Sequence, residues 1–241
     1  MINMIQAENL KYKNTFSKKL FYIAPMYILI QILSFDDYVF TNSINWWSLC
    51  FMPFIIAILC SLSSLREKKS GNYRTLKSKD INLKKMWISK VLVMSFYTFL
   101  ASLTFILYFL IFKLVRGSLL VILNQLFLAV FIIWLTTLIL IPICLFLSES
   151  FGSFASVIVT CVGFIGGALV APKSFWYLCP WSINVRLISP ILKIHPNGEL
   201  LKSGSSLLNP SVIPIGIIIA VVGFIILAIL TSLWFAKKEA R

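Results

Sequence analysis

Residues 46–65 read WWSLCFMPFIIAILCSLSSL, and residues 66–85 read REKKSGNYRTLKSKDINLKK. The first twenty carry no charge, and the next twenty carry ten. As a helix rising about 1.5 Å per residue, the uncharged run is about 30 Å long, the thickness of a bilayer's hydrocarbon core. The charged run that follows cannot enter that core, so Arg66 marks the point where a membrane span meets water.

The same alternation organises the rest of the chain. Of its 241 residues 59% are hydrophobic and 12% are charged, against about a quarter charged in soluble domains. Lipid, not water, is therefore its main solvent. Further apolar runs place spans at about residues 20–35, 86–112, 119–147, 154–171 and 210–235, six in all with 46–65. The 20–35 run is short for the hydrocarbon thickness and ends at Asp36 and Asp37. The brief link at 113–118 makes the third and fourth spans an antiparallel pair. Residues 1–19 mix Ile5, Leu10, Tyr12 and Phe16 with Lys11, Lys13, Lys18 and Lys19, the pattern of an amphipathic elbow helix lying in the interface. That opening lacks a small-residue cleavage site after a short apolar core, which argues against a removable signal peptide. The expected fold is an all-α membrane protein, one permease domain over 1–241 with six transmembrane helices.

Orientation follows from the basic residues. With an inside N-terminus, sixteen of the 22 lysines and arginines lie in cytoplasmic segments and six outside, which assigns both termini and the 66–85 loop to the cytoplasm. The formal charge of +14 therefore serves topology, and no nucleic-acid partner is implied.

Several chemistries are disfavoured. Ion-coupled transport needs ionisable groups at depth, and spans two, four, five and six have none. No GxxxxGK[ST] phosphate loop occurs, so the chain holds no ATP of its own. The one histidine, His195, falls in a Pro/Asn/Gly-rich segment without metal-site spacing, and four of the five cysteines fall in apolar runs. Neither catalytic residues, metal nor cofactor is expected. Within the membrane, Gln31, Asn124 and Gln125 read as bonds between helices, and Gly163 and Gly167 form a GxxxG that admits close packing.

Two segments remain informative. The cytoplasmic loop 66–85 is long enough for a helical turn or two and is a surface that an ATPase can grip, although its lysines also hold topology and attract anionic lipid. The external segment 173–209 gathers Phe175, Trp176, Tyr177 and Trp181 near Pro180 and Pro190, then the apolar stretch 185–194. An aromatic belt anchoring helix ends is the favoured reading. A partly embedded lid that meets an amphipathic substrate through Trp176, Tyr177 and Trp181 is the alternative.

SINWWSLCFMPF at 43–54, REKKSGNYRTLKS at 66–78, LKKMWISKVLV at 83–93 and CPWSINVRLISPILKIHPNG at 179–198 resemble, in order, lantibiotic-immunity permeases of the MutE/EpiE type, in the type-two class of ATP-binding-cassette (ABC) exporters. The resemblance implies a non-catalytic permease that pairs with a second homologous permease and with an ABC ATPase binding the ATP. It implies expulsion of lantibiotic peptide from the plasma membrane of a Gram-positive bacterium. It also marks Glu67, Tyr73 and Arg74 as the ATPase contact. A generic exporter of lipid or drug, and a protein that sequesters peptide without ATP, are the alternatives.

Overall fold

The computed structural model describes residues 1–13, 15–28, 39–71, 81–116 and 123–239. Helix accounts for 82%, and no strand forms among the described residues. This is what a low-dielectric solvent demands, because each backbone amide must be satisfied within its own segment. The described residues form, in order, the α-helices α1 (Ile2–Leu10), α2 (Phe16–Ile23), α3 (Val39–Lys69), α4 (Leu83–Arg116), α5 (Leu123–Ser150), α6 (Ala155–Val170), α7 (Pro180–Leu192) and α8 (Val212–Glu239).

Four of them, α3, α4, α5 and α8, are long and apolar enough to cross a membrane, and α6 is a shorter apolar helix of 16 residues. Residues 29–35 of the expected first span lie outside the described residues; the part described is the end of α2, a 3-10 turn at Ala24–Met26 and residues 27 and 28. The helix bounds also move. Helix α3 extends back to Val39, ahead of the 46–65 run, and Trp47 is fully buried against Phe105.

Prolines explain the irregularities. A proline lacks an N–H and crowds the carbonyl four residues earlier. Pro25 thus frees the Phe21 carbonyl, which accepts instead from the Thr104 hydroxyl of α4 at 2.7 Å. Pro53 follows a π turn at Trp47–Phe51 in α3. Pro142 breaks α5 at Leu138 and Ile139, where the Leu138 carbonyl accepts from Ile141 one residue early. The two halves of α5 then take different partners: residues Leu123–Thr137 pack on α7 and Leu140–Ser150 on α3.

Close packing beside α3 depends on small side chains. Ser156 donates to the Ala57 carbonyl at 3.0 Å, Ser148 to Ser156 at 2.8 Å and Ser64 to the Ser148 carbonyl at 3.1 Å, joining α3, α5 and α6 where hydrocarbon supplies no hydrophobic drive. The expected pairing of the third and fourth spans forms, but α4 packs more extensively on α8, where Trp87 Nε1 donates to Thr231 at 2.9 Å. Only 17% of the apolar window of α8 is buried, against 67% in α5, so α8 turns Ile218, Ile225 and Leu230 outward.

Candidate coupling site at the loop end of the bundle

Helix α3 ends at Lys69 and α4 begins at Leu83; residues 72–80 between them lie outside the described residues. Tyr73 and Arg74, two of the three residues expected to touch an ATPase, fall there. The third, Glu67, is placed by the last turn of α3 and is 5% exposed.

The carboxylate of Glu67 points inward to two ammonium groups. Lys11 Nζ lies 2.6 Å from its Oε1, and Lys90 Nζ lies 3.3 Å from the same atom. Lys11 follows α1 and also reaches Glu8, one helical turn earlier, at 2.7 Å. Lys90 belongs to the first turns of α4 and is buried, as is Glu8. Burial alone would depress the Lys11 ammonium, but Glu8 and Glu67 outweigh it and hold it above its ordinary 10.5.

Aromatic packing encloses this charge cluster. Tyr12 stacks on Tyr97 of α4 with centroids 4.5 Å apart, and the Arg66 guanidinium lies 4.9 Å from the centre of the Tyr12 ring. Tyr97 donates to Asn9 at 2.6 Å, and Arg66 donates to Ser17 at 3.1 Å. The elbow is therefore fastened to both stems of the 72–80 segment: to α3 through Glu67 and Arg66, and to α4 through Tyr97. Glu67 and Lys90 tie the stems to each other.

Among the described residues no group of three His, Cys, Asp or Glu side chains is placed to hold a metal ion. What the cluster can do is mechanical: charge-assisted bonds among three elements make them move together.

Sequence reasoning missed Lys11 and Lys90 as partners of Glu67, and Glu8 as the second partner of Lys11. The available signals were the three-residue spacing of Glu8 and Lys11, and the scarcity of acids, eight in the chain.

At the other end, α7 is inserted among α5, α6 and α8, not laid over them. Asn184 Nδ2 donates to the Ser48 carbonyl in the π turn of α3, and Arg186 donates to the carbonyls of Leu207 at 2.9 Å and Ser206 at 3.3 Å. The GxxxG of α6 admits α7 closely, with the Trp181 ring against Gly163 and the Trp181 backbone against Gly167. A Cβ on Gly163 would lie 2.5 Å from the Trp181 ring, and one on Gly167 would lie 2.8 Å from the Trp181 carbonyl oxygen. Trp176 is 8% exposed and Tyr177 46%, so Tyr177 alone of the three singled-out aromatics stands well out of the surface. His195 sits at a turn, its Nδ1 2.8 Å from Asn197 Oδ1.

Between α4 and α5 lies a partly open apolar groove of about 320 Å³, lined by Phe99, Leu103 and Ile106 on one side and Phe127, Phe131 and Trp134 on the other.

Residues 4–167, about two thirds of the chain, match the family model described as ABC-2 family transporter protein, a stretch that contains the whole Glu67 cluster. No curated protein and no solved structure matches the chain.

Proposed function

We propose, from the premise that the chain belongs to the ABC-2 transporter family, that it expels lantibiotic-type peptides from the membrane in which it sits. A member of this family is the membrane permease of an ABC exporter and works with an ABC ATPase partner. The chain is accordingly a multi-pass membrane protein and a transport subunit. The peptide, the second homologous permease, the Gram-positive plasma membrane and the six-span topology with both termini inside belong to the proposal.

The observation that carries the coupling mechanism is Glu67, one carboxylate shared by Lys11 of the elbow and Lys90 of α4. An ATPase that engages residues 72–80, with Tyr73 and Arg74 as contacts, pulls on both stems, and the shared carboxylate carries that displacement into the elbow. ATP-driven closure then shifts the bundle between two packings. The four ordered sequence stretches, SINWWSLCFMPF among them, support the choice of peptide. The apolar groove of α4 and α5 offers its hydrophobic side chains a lateral entry from lipid.

The test is lantibiotic survival of a sensitive strain expressing the chain with its partner permease and ATPase. Tolerance rises with an active ATPase and returns to baseline with a hydrolysis-dead one. Unchanged tolerance in both strains refutes the peptide reading in favour of an exporter of lipid or drug, and protection that persists with the dead ATPase indicates sequestration.

A further inference from the structure

A second feature lies at the loop end, beside the Glu67 cluster. Where the elbow turns into α2, a pocket of about 230 Å³ opens between α2 and the last turns of α3. Arg66 and Lys69 supply two cations to it, and Thr15 and Ser17 supply the N-cap and second residue of α2. The rest of the lining is apolar: Phe16, Leu62 and Leu65.

Each part of this lining selects for the same ligand. The Lys18 amide is taken by the Thr15 carbonyl at 3.0 Å, and the Thr15 side chain caps no amide of α2, so the positive end of this helix favours an anion. Arg66 is braced in position by Ser17 Oγ at 3.1 Å and by the Tyr12 ring, which leaves the guanidinium aligned toward the pocket without freezing Lys69. Neither cation meets a carboxylate among the described residues. A soluble anion would have no use for three hydrocarbon side chains beside the charges. A phospholipid needs both, and the pocket sits at the charged end of a helix long and apolar enough to cross a membrane, where headgroups are expected.

We infer that this pocket is a binding site for an anionic phospholipid, its phosphodiester held by Arg66, Lys69 and the N-terminus of α2 and its upper acyl chain lying on Phe16, Leu62 and Leu65. The bound lipid bridges α2 and α3, the two elements joined by Arg66 and Ser17, and so holds the elbow against the bundle. The inference stands whatever the exporter carries.

The experiment uses the full chain purified from membranes and incorporated into discs of phosphatidylcholine with or without phosphatidylglycerol. Native mass spectrometry after extraction counts retained phosphatidylglycerol, and thermal unfolding reports its stabilising effect. The wild type retains phosphatidylglycerol and unfolds at a higher temperature in its presence. Lys69→Gln, an exposed change that leaves the fold intact, weakens retention about fivefold, and Arg66→Gln with Lys69→Gln abolishes both effects. Lys237→Gln with Lys238→Gln, the same loss of charge elsewhere in the chain, leaves retention at the wild-type level. The inference is overturned if Lys69→Gln retains as much lipid as the wild type, or if the Lys237 and Lys238 pair loses as much as the Arg66 and Lys69 pair, which would indicate diffuse attraction. It is equally overturned if excess inorganic phosphate displaces the lipid, which would make the site one for a free anion.

Discussion

Glu67→Gln keeps the shape of the side chain and removes its charge, leaving Lys11 and Lys90 facing a neutral amide. At 2.6 and 3.3 Å the two attractions are worth about 6 and about 5 kcal/mol at an effective dielectric of about 20, most of it offset by the cost of stripping water from the ions. Removing one member of a buried ionic cluster leaves uncompensated charge and typically costs about 3–5 kcal/mol. Melting of the detergent-purified chain should therefore fall by roughly 6–12 °C. A double-mutant cycle with Lys11→Met isolates the bond to the elbow, and the two changes together should destabilise less than the sum of each alone by about 1–3 kcal/mol. In the assembled exporter, Glu67→Gln should leave the ATPase bound but reduce the stimulation of hydrolysis by substrate. An unchanged melting temperature, or a cycle in which the two effects simply add, would show that the Glu67 carboxylate faces water and carries no force.

The notch on α6 separates neighbouring glycines. Gly163→Leu and Gly167→Val should each cost about 1–3 kcal/mol in thermal unfolding, the latter irreparably because the obstacle is backbone, whereas Gly166→Ala, with nothing within 4 Å, should be neutral or stabilise by up to about 1 kcal/mol. Thr231→Val should orphan the buried Trp87 N–H and lower stability by about 1–3 kcal/mol, and Trp87→Phe in the same background should recover part of the loss. Because Lys11 titrates above its ordinary 10.5 when folded, its contribution is complete below that value and lost as pH climbs beyond it. Protease cleavage of the elbow should accordingly rise at strongly alkaline pH in the wild type and be insensitive to that pH in Lys11→Met.

The apolar runs disclosed the long helices because a charge at depth is forbidden wherever lipid is the solvent. They were weaker at the ends. The uncharged run was counted from Trp46, yet the helix continues back to Val39 and buries Trp47. The breaks were legible in principle, since Pro25, Pro53 and Pro142 each sit beside one, but which group would take up the liberated carbonyl was not; Thr104 lies 83 residues from Phe21. The candidate site was hidden for a related reason. In REKK, Glu67 reads as one acid in a solvated basic run, and nothing local reveals that Lys11, 56 residues earlier, turns it inward. The segment containing Trp181 announced its aromatic character and its apolar core, but not that Gly163 of α6 makes room for the Trp181 ring and Gly167 for its backbone.

That last fit limits how the molecule can move. A bulky ring seated in one cut-out of a rod, with its own backbone pressed into the next, acts as a key in a slot and resists any slide of α7 along α6. Relative movement of these two helices is thereby resisted, whereas α5 carries its own interruption at Leu138 and Ile139, where the angle between its halves is less constrained.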